Sequence, residues 1–350
     1  MSEGIVSLRF DGRDYAYWRS ISIRRGIDRI AGDFQLQVLS PWRNGETTGA
    51  QPLKAGGACS LAIDGETVIT GFIDAPGGNF SEGGHGYSPR GRDATGQLVD
   101  CTAENRPSQW SGVSAERIIT DIAAPFGIRV IMNTDPGLPL EFALQPGEKA
   151  FEAIDRLCRL RSLLPFSDGA GGLILGRPGS QHHGVVLRQG VNIKEATDNG
   201  SVNERYSEVR VIGQAGGFGD PGETSEGEGR ASDNGVGLYR PLTVIAEATG
   251  EDSSFQDRAQ WEVNTRGGRS TQIEVKVVGW RDNGFTGRLW QPNWMVGVDI
   301  PYFGFTGDLL IASVAFTRND KDGSETTLTL TRPEAFLPGP PKKAKGAAPW

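Results

Sequence analysis

The stretch Leu61-Ala-Ile-Asp-Gly-Glu-Thr-Val-Ile-Thr-Gly-Phe-Ile73 decides how this chain is read. Apolar residues flank Asp64-Gly65, the short-range signature of a tight hairpin. Gly65 takes a positive φ without a Cβ clash, and Asp64 tolerates a neighbouring left-handed conformation. The second arm, Thr67 to Ile73, is rich in β-branched side chains and suits a half-buried pleated surface. Beyond it, Gly77, Gly78, Ser81, Gly83, Gly84 and Gly86 mark a Gly/Ser-rich crossing. Tyr87 to Cys101 then reads as a strand that turns into a short helical segment. The whole unit reads as one half of a small β-barrel.

A similar unit recurs late in the chain. Pro292 to Pro301 leads into Thr306–Thr317, then a polar Asn319-Asp-Lys-Asp-Gly323 turn, then Thr326–Phe336. The first copy carries Pro52, Gly56 and Arg92-Asp93, and the second carries Pro292, Gly297 and Arg332-Pro333. Ile73 to Arg92 spans 19 residues and Val314 to Arg332 spans 18. Residues 52–98 and 292–336 are therefore expected to share one strand order. Gly65 would match the Phe305–Gly307 region, Tyr87–Gly91 would match Glu325–Leu330, and Ile69, Ile73, Ile311 and Ala315 would face inward. The alternative is two unrelated hairpins that share turn chemistry.

A chain of 350 residues has room for two or three domains. Its formal charge of −7 argues against a module that reads nucleic-acid sequence, which needs a basic face. With 50 Gly and 20 Pro, a fifth of the residues are turn formers, which fits many short strands. Cys59, Cys101 and Cys158 are odd in number and widely spaced, so neither a disulfide framework nor a zinc site is indicated. Met1-Ser-Glu-Gly-Ile-Val lacks a basic and then apolar leader, and no apolar run reaches the length of a membrane helix. The expectation is a soluble protein made in a cytoplasm, with no stable membrane insertion.

In chain order, Ile5–Phe10 opens as a strand, Asp11-Gly12 turns, and Tyr15–Arg24 returns; Asp33–Leu39 repeats the alternation. Residues 1–103 are read as a first tube-like β-barrel domain. The pattern changes at Gln109. Ser114 can cap a helix whose Ile118, Ile119, Ile122 and Phe126 share a face, with Pro125 and Gly127 to stop it. A second helix over 148–163 puts Phe151, Ile154, Leu157, Cys158 and Leu160 inward, and a hairpin follows at Gly169–Leu175. Residues 104–185 form a small α/β module on this reading. Strands resume at Gly184–Leu187 and Ser207–Ile212. Residues 213–237 are Gly-rich and acidic (Asp220, Glu223, Glu226, Glu228, Asp233) and read as a mobile surface loop that folding could dispense with. Tyr239–Ala246 is a strand, Ser253/Ser254–Arg266 a helix and Thr271–Trp280 a long strand. Residues 186–337 are thus a second tube-like barrel domain, and 338–350 a disordered Pro/Lys/Ala tail. The fold class is α+β, mainly β: two antiparallel β-barrels with a small α/β module between them.

Catalytic chemistry is weakly signalled. Gly217-Phe-Gly-Asp-Pro-Gly222 matches G-x-G-x-x-G, but Pro221 and Glu223-Thr-Ser-Glu226 replace the helix N-terminus a pyrophosphate needs. His182-His183 would point to opposite faces of a strand and chelate one metal poorly, and His85 stands alone. Ser88 misses the G-x-S-x-G spacing by one place, with Pro89 blocking the elbow. Asp64, Asp198, Asp233, Asp282 and Asp322 sit beside turn residues, which explains them without chemistry. No catalytic, cofactor or metal residue is assigned.

Certain segments in order carry a family likeness: Leu8–Gly12, Trp18–Ile23, Ile30–Leu36, Val68–Asp74 and above all Gly91-Arg-Asp-Ala-Thr-Gly-Gln-Leu-Val-Asp-Cys101. Tyr206-Ser-Glu, Tyr239–Leu242, Val278–Trp280 and Leu289–Trp294 continue it. The chain resembles, over about residues 5–337, the Mu-like phage baseplate hub proteins of contractile tails. Those proteins are similar to the T-even hub and to the N-terminal part of type VI secretion spike proteins. The resemblance implies a non-enzymatic virion component, assembled in the host cytoplasm. It implies a homotrimer in which two barrels per chain give a pseudo-sixfold ring. That ring joins the sixfold tail tube, or its initiator, to the threefold central spike, contacts other baseplate proteins, and leaves a channel for DNA in transit. The other reading is a tail-associated carbohydrate-active enzyme or glycan binder. It is motivated by eight Trp in a Gly-rich β architecture (Trp18, Trp42, Trp110, Trp261, Trp280, Trp290, Trp294, Trp350), although these are spread rather than clustered.

Overall fold

The computed structural model describes residues 4–40, 53–82, 84–179, 181–215, 225–245, 255–284, 286–337 and 339. Expectations on Trp42, Pro52, the Gly217–Gly222 motif, Ser253/Ser254, and the tail other than Gly339 lie outside them.

Period-two alternation builds the first strands: β1 (Val6–Phe10), β2 (Arg13–Tyr15), β3 (Ser20–Gly26) and β4 (Asp33–Ser40). The single returning arm expected over 15–24 is broken, because Tyr17 takes φ 66° between β2 and β3. β5 (Ala58–Ile63) and β6 (Glu66–Ala75) meet at Asp64 (φ 50°) and Gly65 (φ 82°), the two left-handed residues of the tight hairpin. The crossing that follows is itself a hairpin, β7 (Gly78–Ser81) with β8 (Gly84–Tyr87), before β9 (Arg90–Asp93) and helix α1 (Gly96–Asp100).

The middle module comprises β10 (Gln109–Val113), α2 (Ala115–Ala123), β11 (Val130–Met132), β12 (Leu140–Ala143), α3 (Ala150–Arg161), β13 (Leu164–Ser167) and β14 (Leu173–Gly176). Ser114 Oγ accepts from Arg117 N at 3.3 Å and caps α2, and Gly127 (φ 68°) ends the following turn. Ile118, Ile119 and Ile122 pack with Ile154, Leu157 and Cys158 in a core of their own. Leu160 was expected inward but is 59 % exposed. The last turn of α3 overhangs the core, and Leu163, past the left-handed Ser162, fills the place instead.

After β15 (Gln181–Arg188) and β16 (Glu195–Asp198), a separate three-stranded sheet forms from β17 (Glu208–Ala215), β18 (Ser225–Ser232) and β19 (Pro241–Ile245), covered by α4 (Phe255–Arg269). Its core is Val209, Val211, Ala231, Ala259 and Val263. The mobile loop expected over 213–237 is corrected for its described residues 213–215 and 225–232, since β18 is fully paired with β17, while 216–224 lie outside the described residues. Its glycines serve close approach: a Cβ on Gly227 would lie 1.8 Å from the Phe255 ring, and one on Gly229 2.2 Å from the Phe255 backbone. The chain closes with β20 (Gln272–Val278), β21 (Arg281–Asn283), β22 (Thr286–Leu289), β23 (Trp294–Ile300), β24 (Phe305–Asn319) and β25 (Gly323–Thr331).

Of the described residues 49 % are in strands and 17 % in helices, so the fold is mainly β. Strands from both ends of the sequence share one 15-stranded sheet and one apolar core, and no ring closes within the described residues. Within that sheet the neighbour order β1-β5-β6-β9-β4-β3 is repeated as β15-β23-β24-β25-β20-β16, in the same chain order. Every pairing keeps its antiparallel sense except the first, antiparallel for β1–β5 and parallel for β15–β23. The shared strand order expected from the sequence is present, although the turn matching Gly65 is Pro301–Gly304, just before the expected place. Ile69, Ile73 and Ile311 are buried as expected. Ala315 is not: a bulge between Ile311 and Ser313 shifts the alternation, so Val314 and Phe316 take the inward positions.

Candidate assembly surface

Eight strands run side by side in the order β16-β20-β25-β24-β3-β4-β8-β7, and every neighbouring pair is antiparallel. One face of this sheet buries Ile273, Val275, Leu328, Leu330, Phe316, Ile23 and Phe34 in the shared core. The alternate positions build the opposite face, which is polar. Its side chains fall into cross-strand rows. One row reads Glu195–Lys276–Thr327–Ala315–Arg24–Asp33–Arg92. A second reads Val278–Glu325–Thr317–Ser22–Gln35–Arg90, and a third Thr197–Glu274–Thr329–Ser313.

Charge on this face is balanced: Glu195, Glu274, Glu325 and Asp33 stand among Lys276, Arg24, Arg90 and Arg92. Lys276 Nζ lies 2.7 Å from Glu195 Oε2, and that hydrogen bond holds the Glu195 carboxyl below its ordinary range. Arg92 bridges Asp100 at 2.6 Å and Asp74 at 2.8 Å, which raises its pKa. Hydroxyls and the Gln35 amide fill most of the remaining row positions, with Ala315 and Val278 as apolar exceptions, and Ser313 Oγ donates to Thr329 Oγ1 at 2.9 Å. The carboxylates lie on β16, β20, β25 and β4, and the basic side chains on β20, β3 and β9.

The halves and the middle module meet at Arg25 on β3, which is only 8 % exposed. Its guanidinium donates to Asp168 O at 2.9 Å in the middle module and to Gln291 Oε1 at 3.1 Å in the second half. Asp93 at the end of β9 accepts from Gly32 N at 2.8 Å and Thr95 N at 3.0 Å, and Thr95 Oγ1 also donates to it. Burial lowers the Arg25 pKa and raises that of Asp93, while their mutual attraction opposes the shift at Arg25. A buried charge held from three parts of the chain fixes their relative placement. Sequence reading missed Arg25, because nothing local marks an arginine in an alternating strand as buried.

His182 and His183 do point to opposite sides of β15. His182 Nε2 reaches Asp308 Oδ1 at 3.2 Å near the surface, whereas His183 is 1 % exposed. The His183 ring lies 4.7 Å from both the Trp290 and Trp294 rings, and its Nδ1 is 3.2 Å from Asp282 Oδ2. Burial lowers the His183 pKa against the pull of Asp282. No group of three or more metal-ligating side chains occurs among the described residues. Trp18, Trp280 and Trp290 are core residues, and Trp110, Trp261 and Trp294 are half-buried, so the described tryptophans form no exposed sugar platform. Cys59, Cys101 and Cys158 are free thiols, and burial pushes Cys59 up to about 12. No described helix is long and apolar enough to cross a membrane.

Family models match four consecutive parts of the chain. Residues 5–93 match the N-terminal domain of Mu phage baseplate assembly protein GpP-like proteins, and 95–177 the second domain of gp44-like baseplate hub proteins. Residues 205–261 match the third domain of NMB1110-like tail proteins, and 251–339 the fourth domain of GpP. The baseplate hub protein gp44 of Escherichia phage Mu is 32 % identical over 347 residues, covering 95 % of this chain and 89 % of that protein. The 43 kDa tail protein of prophage MuSo2 from Shewanella oneidensis superposes with a TM-score of 0.83 at 32 % identity, covering 95 % of this chain and 99 % of that one. The tail protein from Neisseria meningitidis MC58 shares the fold, with a TM-score of 0.80 at 23 % identity over 96 % of this chain and 99 % of that one.

Proposed function

The chain belongs to the Mu phage family of baseplate hub proteins, components of the virion tail, and from that membership we propose that three copies form a pseudo-sixfold ring. The observation that carries this reading is the repeated six-strand order, which gives each chain two similar β units. Three chains then present six such units, the number a sixfold tube needs, while keeping the threefold symmetry of a spike. The ring sits between the tail tube, or its initiator, and the central spike, beside other baseplate proteins. Its role is structural, not catalytic.

The polar face of the eight-stranded sheet is the channel wall in this reading. Each phosphate contact by Lys or Arg adds salt-sensitive affinity, so a basic wall would hold DNA in transit. Balanced charge and a hydroxyl-rich surface avoid that retention. In this reading each six-strand unit supplies one of the two tube-like barrels expected from the sequence. Light scattering on the full chain, alone and with tube or spike protein added, tests the proposal. A trimer is expected; a monomer under all those conditions overturns it.

A further inference from the structure

Past β25 the chain makes a 3-10 turn, Pro333–Phe336, that touches every part of the molecule. It lies on α4 where Gly268 leaves room for it: a Cβ there would stand 2.4 Å from Ala335 N. Arg269 Nε donates to Ala335 O at 3.3 Å, and Trp261 Nε1 to Leu337 O at 2.8 Å. Phe336 packs with Ile27 before β4, Leu164 and Phe166 on β13, and Leu310 on β24. Farther on, Gly339 is buried against Ser162 at the end of α3, where a Cβ would come within 2.8 Å of Ser162 Oγ. The other side of α4 puts Ala259 and Val263 on the β17–β19 sheet, in a core of its own. That module leaves and re-enters the main sheet through two connections that bond to each other. Asn199 N donates to Gln272 O at 2.8 Å, and Ser201 N to Ser270 O at 3.1 Å. Thr331 Oγ1 anchors the same place by donating to Thr271 O at 2.8 Å.

We propose that the segment from Pro333 to Gly339 is a releasable clasp. Seated, it fixes the β17–β19/α4 module against the two halves and the middle module. Unseated, it lets that module turn about the paired connections at Asn199–Ser201 and Ser270–Gln272, while the 15-stranded sheet stays whole. Two features support release before unfolding. Pro333, Glu334, Phe336 and Leu337 are only half-buried, so the hold rests on few bonds and one ring. Regions with few buried apolar contacts open at a lower free energy than the whole fold. The module also carries its own sheet and core, so it can move as a body about a short hinge.

Two adjacent glycines of α4 give a matched test in the full chain. Gly268→Ala drives a methyl into the Ala335 backbone, whereas Gly267→Ala meets only Asp233 Oδ2, at 3.8 Å. Both substitutions raise helix propensity alike, so they differ in what they do to the clasp. Gly268→Ala is expected to speed amide hydrogen exchange at Ala335 and Leu337 by about tenfold or more, with the β24–β25 amides unchanged. Spin labels at Thr243→Cys on β19 and Lys321→Cys in the β24–β25 turn read the module's orientation, with Cys101→Ser removing the half-buried thiol. Their distance distribution should be narrow in the parent and in Gly267→Ala, and broad in Gly268→Ala. Trp261→Phe combined with Phe336→Ala removes the indole donor and the ring, and should broaden it too. A narrow, unmoved distribution in both variants overturns the clasp. So does loss of β24–β25 protection together with that of Ala335 and Leu337, because the segment would then open only with the whole fold.

Discussion

The two copies of the six-strand unit differ most where they correspond most closely. In the second copy β24 runs unbroken for 15 residues and its outer edge is covered by β3. In the first, the same path is cut between Ala75 and Gly78, and the outer edge of β7 is bare among the described residues. Gly77 makes the cut: its φ is 59°, and a Cβ there would lie 2.3 Å from Ser88 O. The connections differ too. β3 and β4 are joined by the short segment 27–32, whereas β16 and β20 are separated by the whole β17–β19 sheet and α4. In the proposed ring, strand order and sense are kept where the two units would meet like neighbours, while the connections between strands differ. Quasi-equivalent contacts constrain edges, not sequences.

The largest effect should come from breaking what locks the two copies together. Arg25→Ala leaves Asp93 buried without its guanidinium neighbour and frees the acceptors Asp168 O and Gln291 Oε1. Leaving a buried hydrogen-bond acceptor unpaired costs about 1–3 kcal/mol for each such group. Urea denaturation should show that loss in the midpoint; a change below about 1 kcal/mol would mean the junction is held by the apolar core alone.

The two corresponding edges can be set against each other directly. Ile21→Ala, at the covered edge, removes a fully packed side chain and should cost about 2–5 kcal/mol in a single chain. Phe80→Ala, at the bare edge, should change monomer stability by no more than about 0.5 kcal/mol. Equal stability losses, measured below the assembly concentration, would break the correspondence.

Much of this was legible in the sequence. Asp64-Gly65 fixed the hairpin and its register, and Ser114 with the isoleucines of α2 fixed that helix, because both signals are local. The polar rows were not legible, since Glu195–Lys276–Thr327–Ala315–Arg24 joins residues far apart in sequence. Ala315 was misplaced because a bulge carries no side-chain signature. β18 was missed because Ser-Glu-Gly-Glu-Gly-Arg-Ala-Ser reads as loop chemistry, while its glycines are there to admit α4.

That last point has its own test. Gly229→Ala would place a methyl 2.2 Å from the Phe255 backbone and should cost about 1–3 kcal/mol through overpacking. Gly237→Ala, which meets nothing within 4 Å, is the control. If both variants melt like the parent chain, the α4 module contributes little to cooperative stability, and the second copy carries it as a passive insertion.

The smallest expected effect concerns His183, which has no counterpart in the first copy's antiparallel β1–β5 edge. The imidazole is buried between Trp290 and Trp294 and faces Asp282, with His182 and Arg288 as the other nearby charges. Burial dominates, so the folded-state pKa lies below the ordinary 6.5. The neutral ring is therefore favoured by folding. Its contribution is complete above pH 6.5 and is lost as pH falls through the lower folded value, because the unfolded chain takes up a proton the folded one resists. Each unit of pKa difference corresponds to about 1.4 kcal/mol. Denaturation midpoints of the parent chain should fall more steeply from pH 6.5 downward than those of His183→Gln, which cannot titrate. Parallel curves would mean that Asp282 compensates the burial fully, and that the parallel β15–β23 edge is as insensitive to acid as its antiparallel counterpart.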